Sequence, residues 1–208
     1  VREASKSIMR RLTDSRFATR YFVGEGIDIG SGPDPISFYA ELFPLMREVR
    51  SWDLADGDAQ YLEGVPDASF DFVHSSHCLE HMRDPLVALR NWLRVLKPGG
   101  HMVVLVPDED LYEQGVFPST FNADHKCTFT LYKKTTWSPR SVNVLALIAQ
   151  LDGVMPLKVE LLDSTFLYRM ERMDQTMLPA SECAIEVVLR KATAAEAARG
   201  GRLPEPRN

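Results

Sequence analysis

The sequence predicts an α/β fold built on a mostly parallel sheet. Three observations carry this. Short β-branched and aromatic runs alternate with helical stretches along the chain. The first such run ends in Gly30-Ser31-Gly32. A helix bounded by Asp84-Pro85 and Lys97-Pro98-Gly99-Gly100 delivers the chain straight into another apolar run. Sheets of this kind carry helices on both faces and bind ligands beyond the carboxyl ends of their strands.

Taken in order, an amphipathic helix is expected over Ile8 to Phe17, in a basic segment without the apolar core of a secretory signal. Strands follow at Gly26–Ile29, Val49–Asp53, Phe70–His74, Met102–Val106 and Ala184–Arg190, with a weaker run at Leu157–Leu162. Pro35–Leu42 reads as helical after the glycine loop. The clearest helix starts with Asp84 as N-cap and Pro85 in its first position, and carries Leu86, Leu89, Leu93 and Leu96 at helical spacing. Another helix is expected from Ser138-Pro139 to about Leu151. From Thr193 the apolar pattern fades, so residues 193–208 read as a flexible tail behind a single domain of residues 1–192.

Composition excludes several classes. The 208 residues suit one domain with a sizeable core. A net charge of −5 argues against nucleic acid as the main partner, because phosphate neutralisation needs a basic field. The longest mostly apolar run, Val142–Leu151, is too short to span a bilayer. Three widely spaced cysteines, Cys78, Cys127 and Cys183, do not form a disulfide framework and suit the reducing cytoplasm.

Gly30 and Gly32 at a strand end allow a tight turn and a close approach of backbone to ligand. Asp53 ends the next strand, where a carboxylate can hold both ribose hydroxyls. The third glycine of a dinucleotide fingerprint would fall at Pro35, and Asp34 adds negative charge beside the loop. A pyrophosphate would be repelled there. The loop therefore favours a nucleoside of neutral or positive charge over a dinucleotide.

Several segments, in order, resemble the class I S-adenosylmethionine-dependent methyltransferases of the type 11 kind. They are Gly26–Pro33 (GIDIGSGP), Asp53, Gly57-Asp58-Ala59, Ser69–Val73 (SFDFV), Cys78–His81 (CLEH), Asp84-Pro85 and Leu93–Gly100 (LRVLKPGG). The closing IEVVLRK resembles that family's last strand. The resemblance implies a Rossmann-like sheet with an antiparallel last strand, and S-adenosyl-L-methionine as cofactor. It implies that Asp28, Gly30, Ser31 and Gly32 line the methionine part, and that Asp53 holds the ribose. Asp58 would accept from the adenine amino group, the Ala59 backbone would meet the ring, and Ser75, Ser76 and His77 would lie beneath the methyl-bearing end. Only four residues separate Asp53 from Asp58, so the region between the second and third strands is shortened, and Asp56 competes with Asp58 for the adenine role.

A methyl acceptor needs a general base only if it must lose a proton, as a hydroxyl must. The strand FDFVH ends in SSHC, unlike the Asn/Asp-Pro-Pro-aromatic motif of enzymes that methylate adenine amino groups. The segment of about 107–140 is expected to form a lid or acceptor insert, with an aromatic and polar content suited to a small-molecule or sugar acceptor methylated at oxygen. It loosely resembles methyltransferases found among bacterial surface-glycan genes. His125 is the first candidate base, with Asp124 or another acid orienting it; His77 is a second candidate. His77 and His81 stand four apart, a spacing that can bind zinc, but no His-Glu-x-x-His is present and no metal is expected. His81 is expected to satisfy backbone groups and Glu80 to face water or a helix end. Two other classes stay in view: a nucleoside-binding module or partner subunit without turnover, and a dinucleotide oxidoreductase.

Overall fold

A computed structural model describes residues 3–204. Six strands form the main sheet in the order β2-β1-β3-β4-β8-β7. These are β1 (Gly24–Ile29), β2 (Met46–Trp52), β3 (Phe70–Ser76), β4 (Leu96–Pro107), β7 (Val154–Leu162) and β8 (Ala184–Lys191). The first four are parallel, while β8 runs antiparallel to both β4 and β7. The antiparallel last strand implied by the resemblance is therefore present. From β1 the chain moves outward to β2 and returns on the other side to β3. The strand order reverses between β1 and β3, and a crevice opens at their carboxyl ends.

Alternation along β4 feeds two cores. Met102, Val104 and Val106 pack on one face with Ile27, Ile29, Val73 and the helix α2 (Pro85–Val95). Val103 and Leu105 point to the other face, with Phe17, Tyr21, Phe22, Phe43 and the helix α1 (Glu3–Thr13). In α1 the buried residues Ala4, Ser7, Ile8 and Arg11 recur at helical spacing. The helix thus begins and ends earlier than Ile8 to Phe17, and Phe17–Tyr21 forms a separate π-helical turn. In α2 the Asp84 carboxylate accepts from Leu86 N at 2.9 Å and Val87 N at 3.1 Å, as an N-cap should.

Three local expectations are corrected. Pairing with β3 recruits the Lys97-Pro98-Gly99-Gly100 stretch into β4, with a register shift where Phe70 gives way to Phe72. The helix expected from Ser138 is instead a short strand, β6 (Ser141–Asn143), paired parallel with β5 (Thr128–Thr130), before a short α3 (Val144–Ile148). Ser138 is held to β5 by the Thr128 hydroxyl at 2.8 Å, and Asn143 caps α3. The expected tail contains a helix, α4 (Ala194–Arg199), closed by a Thr193–Glu196 capping box and fastened to β8 by Arg190, 2.8 Å from Glu196. The end of that tail, 205–208, lies outside the described residues. Between β2 and β3 only turns and bends occur, as the short Asp53–Asp58 spacing requires. No helix among the described residues is long and apolar enough to cross a membrane.

Candidate active site

The loop after β1 is shaped by its glycines. Gly30 has φ +71°, and a Cβ there would lie 2.6 Å from Cys78 Cβ and Sγ, so no other residue fits without displacement. Gly32 has φ +53° and faces open space. Behind the loop, Asp28 is buried with both carboxylate oxygens engaged: one takes Ile36 N at 2.7 Å, the other lies 2.6 Å from His74 Nδ1.

Two adjoining spaces open at the strand ends. The outer groove, about 640 Å³, is lined by Trp52, Asp53, Gly57, Asp58, Ala59, Met82 and Arg83 among others. The inner cavity, about 220 Å³, is lined by the glycine loop (Asp28, Gly30, Ser31, Gly32), by Ser76, His77, Glu80 and His81, by Glu3 and Ala4 of α1, and by Tyr112, Asn122 and His125. Gly30, His77 and His81 line both, so the two spaces share a wall.

In the groove, Asp53 accepts Gly32 N and Leu54 N, each at 3.0 Å, which fixes its carboxylate against the glycine loop. Asp56 turns back to accept Asp53 N at 2.9 Å and does not line the groove. Asp58 does, with Arg83 at 2.8 Å and Gln60 N at 2.9 Å. Ala59 lines the groove while its carbonyl accepts the Trp92 indole N–H at 2.8 Å. Ser76 and His77 reach the inner cavity. Ser75 does not: it is fully buried and its hydroxyl donates to Ile29 O at 2.9 Å, so the role expected of it beneath the methyl-bearing end is corrected.

His77 holds φ +53°, a costly backbone for a non-glycine residue, at the turn leaving β3. Its Nδ1 lies 3.1 Å from Ser76 Oγ, and burial pulls its pKa down to about 3, so it stays neutral near pH 7.

The other two cavity histidines each rest on a carboxylate. His125 Nδ1 lies 2.7 Å from Glu113 Oε1, and His81 Nδ1 lies 2.9 Å from Asp124 Oδ2. Asp124 therefore does not orient His125. It bonds His81 and Lys126 at the surface, and the acid behind His125 is the buried Glu113. The Nδ1 contacts leave both Nε2 atoms turned toward Glu80 Oε1, at 3.9 Å for His125 and 4.0 Å for His81. Glu80 is 1% exposed rather than facing water, and burial raises its pKa well above the usual carboxylate range. Tyr112 stacks on the His125 ring with centroids 5.1 Å apart.

Tyr112 and Asn122 belong to the segment expected to set acceptor specificity, whereas sequence reasoning did not reach Glu3 or Glu113. Glu3 is an acid in an otherwise basic helix, a weak signal. Glu113 meets His125 only because the segment of 108–126 folds back on itself, and no local pattern announces that.

Comparison with known proteins agrees with this geometry. Residues 28–104 match a family model described as a methyltransferase domain. An uncharacterised methyltransferase of Schizosaccharomyces pombe is 39% identical over 59 residues, 28% of this chain and 20% of that protein. The chain thus spans about a fifth of the length of that curated relative. A SAM-dependent methyltransferase from Archaeoglobus fulgidus superposes with a TM-score of 0.54 at 16% identity, covering 89% of this chain and 95% of that one. The [4+2]-cyclase SpnF superposes with a TM-score of 0.52 at 16% identity, covering 90% and 82%. At such identities the superpositions speak for fold alone, and the cyclase is a reminder that one fold hosts several reactions. Residues 28–104 are thus similar to a methyltransferase domain, and the chain shares the Rossmann-like α/β fold of the S-adenosylmethionine-dependent methyltransferase it superposes on.

Proposed function

We propose that the protein is an S-adenosylmethionine-dependent methyltransferase that methylates a hydroxyl oxygen of a small molecule or glycan. The observation that carries this is the shared wall: a nucleoside-sized groove meets a polar inner cavity at Gly30, His77 and His81. Asp53 and Asp58 would hold the ribose and adenine, and Asp28, Gly30, Ser31, Gly32 and Ser76 the amino-acid end. The bound sulfonium supplies an already activated methyl group. The chain's own task is to align the acceptor and keep water out.

His125 is the candidate base. With Glu113 accepting from Nδ1–H, the Nε2 lone pair is left to take the hydroxyl proton as the C–O bond forms and the C–S electron pair stays on sulfur. The insert of about 107–140 supplies Tyr112, Asn122 and His125 to the cavity, which supports its reading as the acceptor-specificity segment. The free, buried Cys78, Cys127 and Cys183 support a reducing cytoplasmic setting. A glycan acceptor rests on the looser resemblance to surface-glycan methyltransferases. The dinucleotide reading is disfavoured by the acid and proline that stand where its third glycine would be, at Asp34-Pro35.

Calorimetric titration with S-adenosylhomocysteine, with NAD as comparison, tests the groove. Binding of the first alone is expected; binding of NAD alone would overturn the reading. Transfer from methyl-labelled cofactor to hydroxylated acceptors, sugars first, then separates an enzyme from a binding module. Loss of turnover with retained homocysteine-analogue binding in His125→Gln would support the base.

A further inference from the structure

Four buried side-chain atoms among the described residues have no hydrogen-bond partner: Glu3 Oε2, His77 Nε2, Glu80 Oε2 and Glu113 Oε2. All four belong to the inner cavity or to the residue bonded to its His125. Unsatisfied buried groups are rare, and a cluster of them signals a missing water or ion. Among the described residues no lysine or arginine side chain pairs with Glu80 or Glu113. Two acids are thus buried without a cation at the mouth of two histidines.

The donors are arranged as ligands. Glu80, His81 and His125 each offer one atom, all within 4.8 Å of one another. The imidazole planes cross at 80° with centroids 5.1 Å apart, so both Nε2 lone pairs can meet one ion without the rings colliding. Each histidine is backed at Nδ1 by a carboxylate, which fixes the tautomer that leaves Nε2 free. Ligand atoms about 2.0–2.2 Å from an ion stand roughly 3–3.5 Å apart, so small side-chain rotations would close the set.

We propose that Glu80, His81 and His125 bind one divalent first-row transition ion, of the zinc, iron(II) or manganese class, at the inner cavity. Two imidazoles and one carboxylate select such ions over calcium and magnesium, which prefer all-oxygen sites. This departs from the expectation of no metal, which considered His77 and His81 on one helix face; the ligand set instead joins the turn after β3 to the insert. With three protein ligands the remaining positions face the cavity, and they suit an oxygen donor of the incoming ligand. For the acceptor, and only there, the inference rests on the proposed methyl transfer. With His125 Nε2 on the ion, that lone pair is not free to act as base. The ion would take its place by acidifying the coordinated hydroxyl, whose proton leaves to solvent. The acceptor narrows to one whose oxygen can coordinate, such as a hydroxyl with a neighbouring oxygen.

The test needs neither cofactor nor acceptor, so its outcome is separate from that of the nucleoside titration. Protein dialysed against chelator is titrated with Zn²⁺ by calorimetry and with Co²⁺ by visible absorption. One ion per chain is expected, with cobalt bands of nitrogen–oxygen ligation. Glu80→Gln and His81→Asn should abolish stoichiometric binding, and Glu113→Gln, which leaves every ligand in place, should weaken it by about tenfold or more. Absence of stoichiometric binding in the unmutated protein would overturn the site, as would unchanged binding in folded Glu80→Gln and His81→Asn. Should a variant fail to fold, Cu²⁺ bound to the unmutated protein decides: spin-echo modulation from two imidazoles supports the site, and from none refutes it.

Discussion

His74 Nε2 lies 3.2 Å from an Arg11 amino group, while its Nδ1 meets Asp28 at 2.6 Å. Arginine can only donate, so Nε2 accepts and the proton sits on Nδ1, donated to Asp28. Arg11 in turn contacts Glu186 of β8 at 3.4 Å. A buried polar chain thus runs from β8 through α1 and β3 to the strand that carries the glycine loop. Replacing Arg11 by methionine takes the donor from His74 Nε2 and one of three cations from the buried Glu186. We expect a loss of about 3 kcal/mol in urea unfolding, the scale for breaking a buried ion pair. A loss below about 1 kcal/mol would show that Arg10 and Lys158, which also reach Glu186, suffice.

Gly30→Ala combines a left-handed backbone with a Cβ driven into Cys78. Destabilisation of about 1–3 kcal/mol is expected, together with weaker S-adenosylhomocysteine binding. Thermal melts and calorimetry read the two effects separately, and wild-type values in both would refute the packing account.

Asp53→Ala removes a carboxylate that holds Gly32 N–H and faces the groove. Affinity for S-adenosylhomocysteine should fall by about 1–3 kcal/mol with little change in stability. Unchanged affinity would sink the ribose assignment.

Burial raises the Glu3 carboxyl from 4.5 to about 7, against the opposing pull of Lys6. The folded state therefore holds a proton that the unfolded chain has released. Its stabilising contribution is complete below pH 4.5, declines as pH rises, and is gone above about 7. The contribution at stake is up to about 3 kcal/mol. Denaturation midpoints of the protein and of Glu3→Gln, measured from about pH 5 to about pH 8, should diverge, with the variant flatter. Parallel curves would mean that Glu3 titrates normally.

The parallel strands and α2 were legible because each has a local signature: β-branched runs, and an Asp84-Pro85 start with leucines at helical spacing. The groove was legible for the same reason, since Gly30, Gly32 and Asp53 all follow strand ends. The helix expected at Ser138 failed because a tertiary contact, the Thr128–Ser138 hydrogen bond, holds the segment to a neighbouring strand. The inner cavity was half legible. His77, His81 and His125 stood out as residue types, but their partners Glu113 and Asp124 and the burial of Glu80 come from the insert folding over the sheet. Pairing across tens of residues has no period to read.

Because α1 contributes Glu3 and Ala4 to the cavity wall, a bulky label placed on the first turn of α1 would load the chamber where ligands must settle. The α4 end follows β8 to the opposite rim of the sheet, where Arg190 pairs with His101 at the start of the central strand's apolar run. Affinity handles, fluorophores and surface tethers belong there, and a protein immobilised by that rim presents its cavity to the solution.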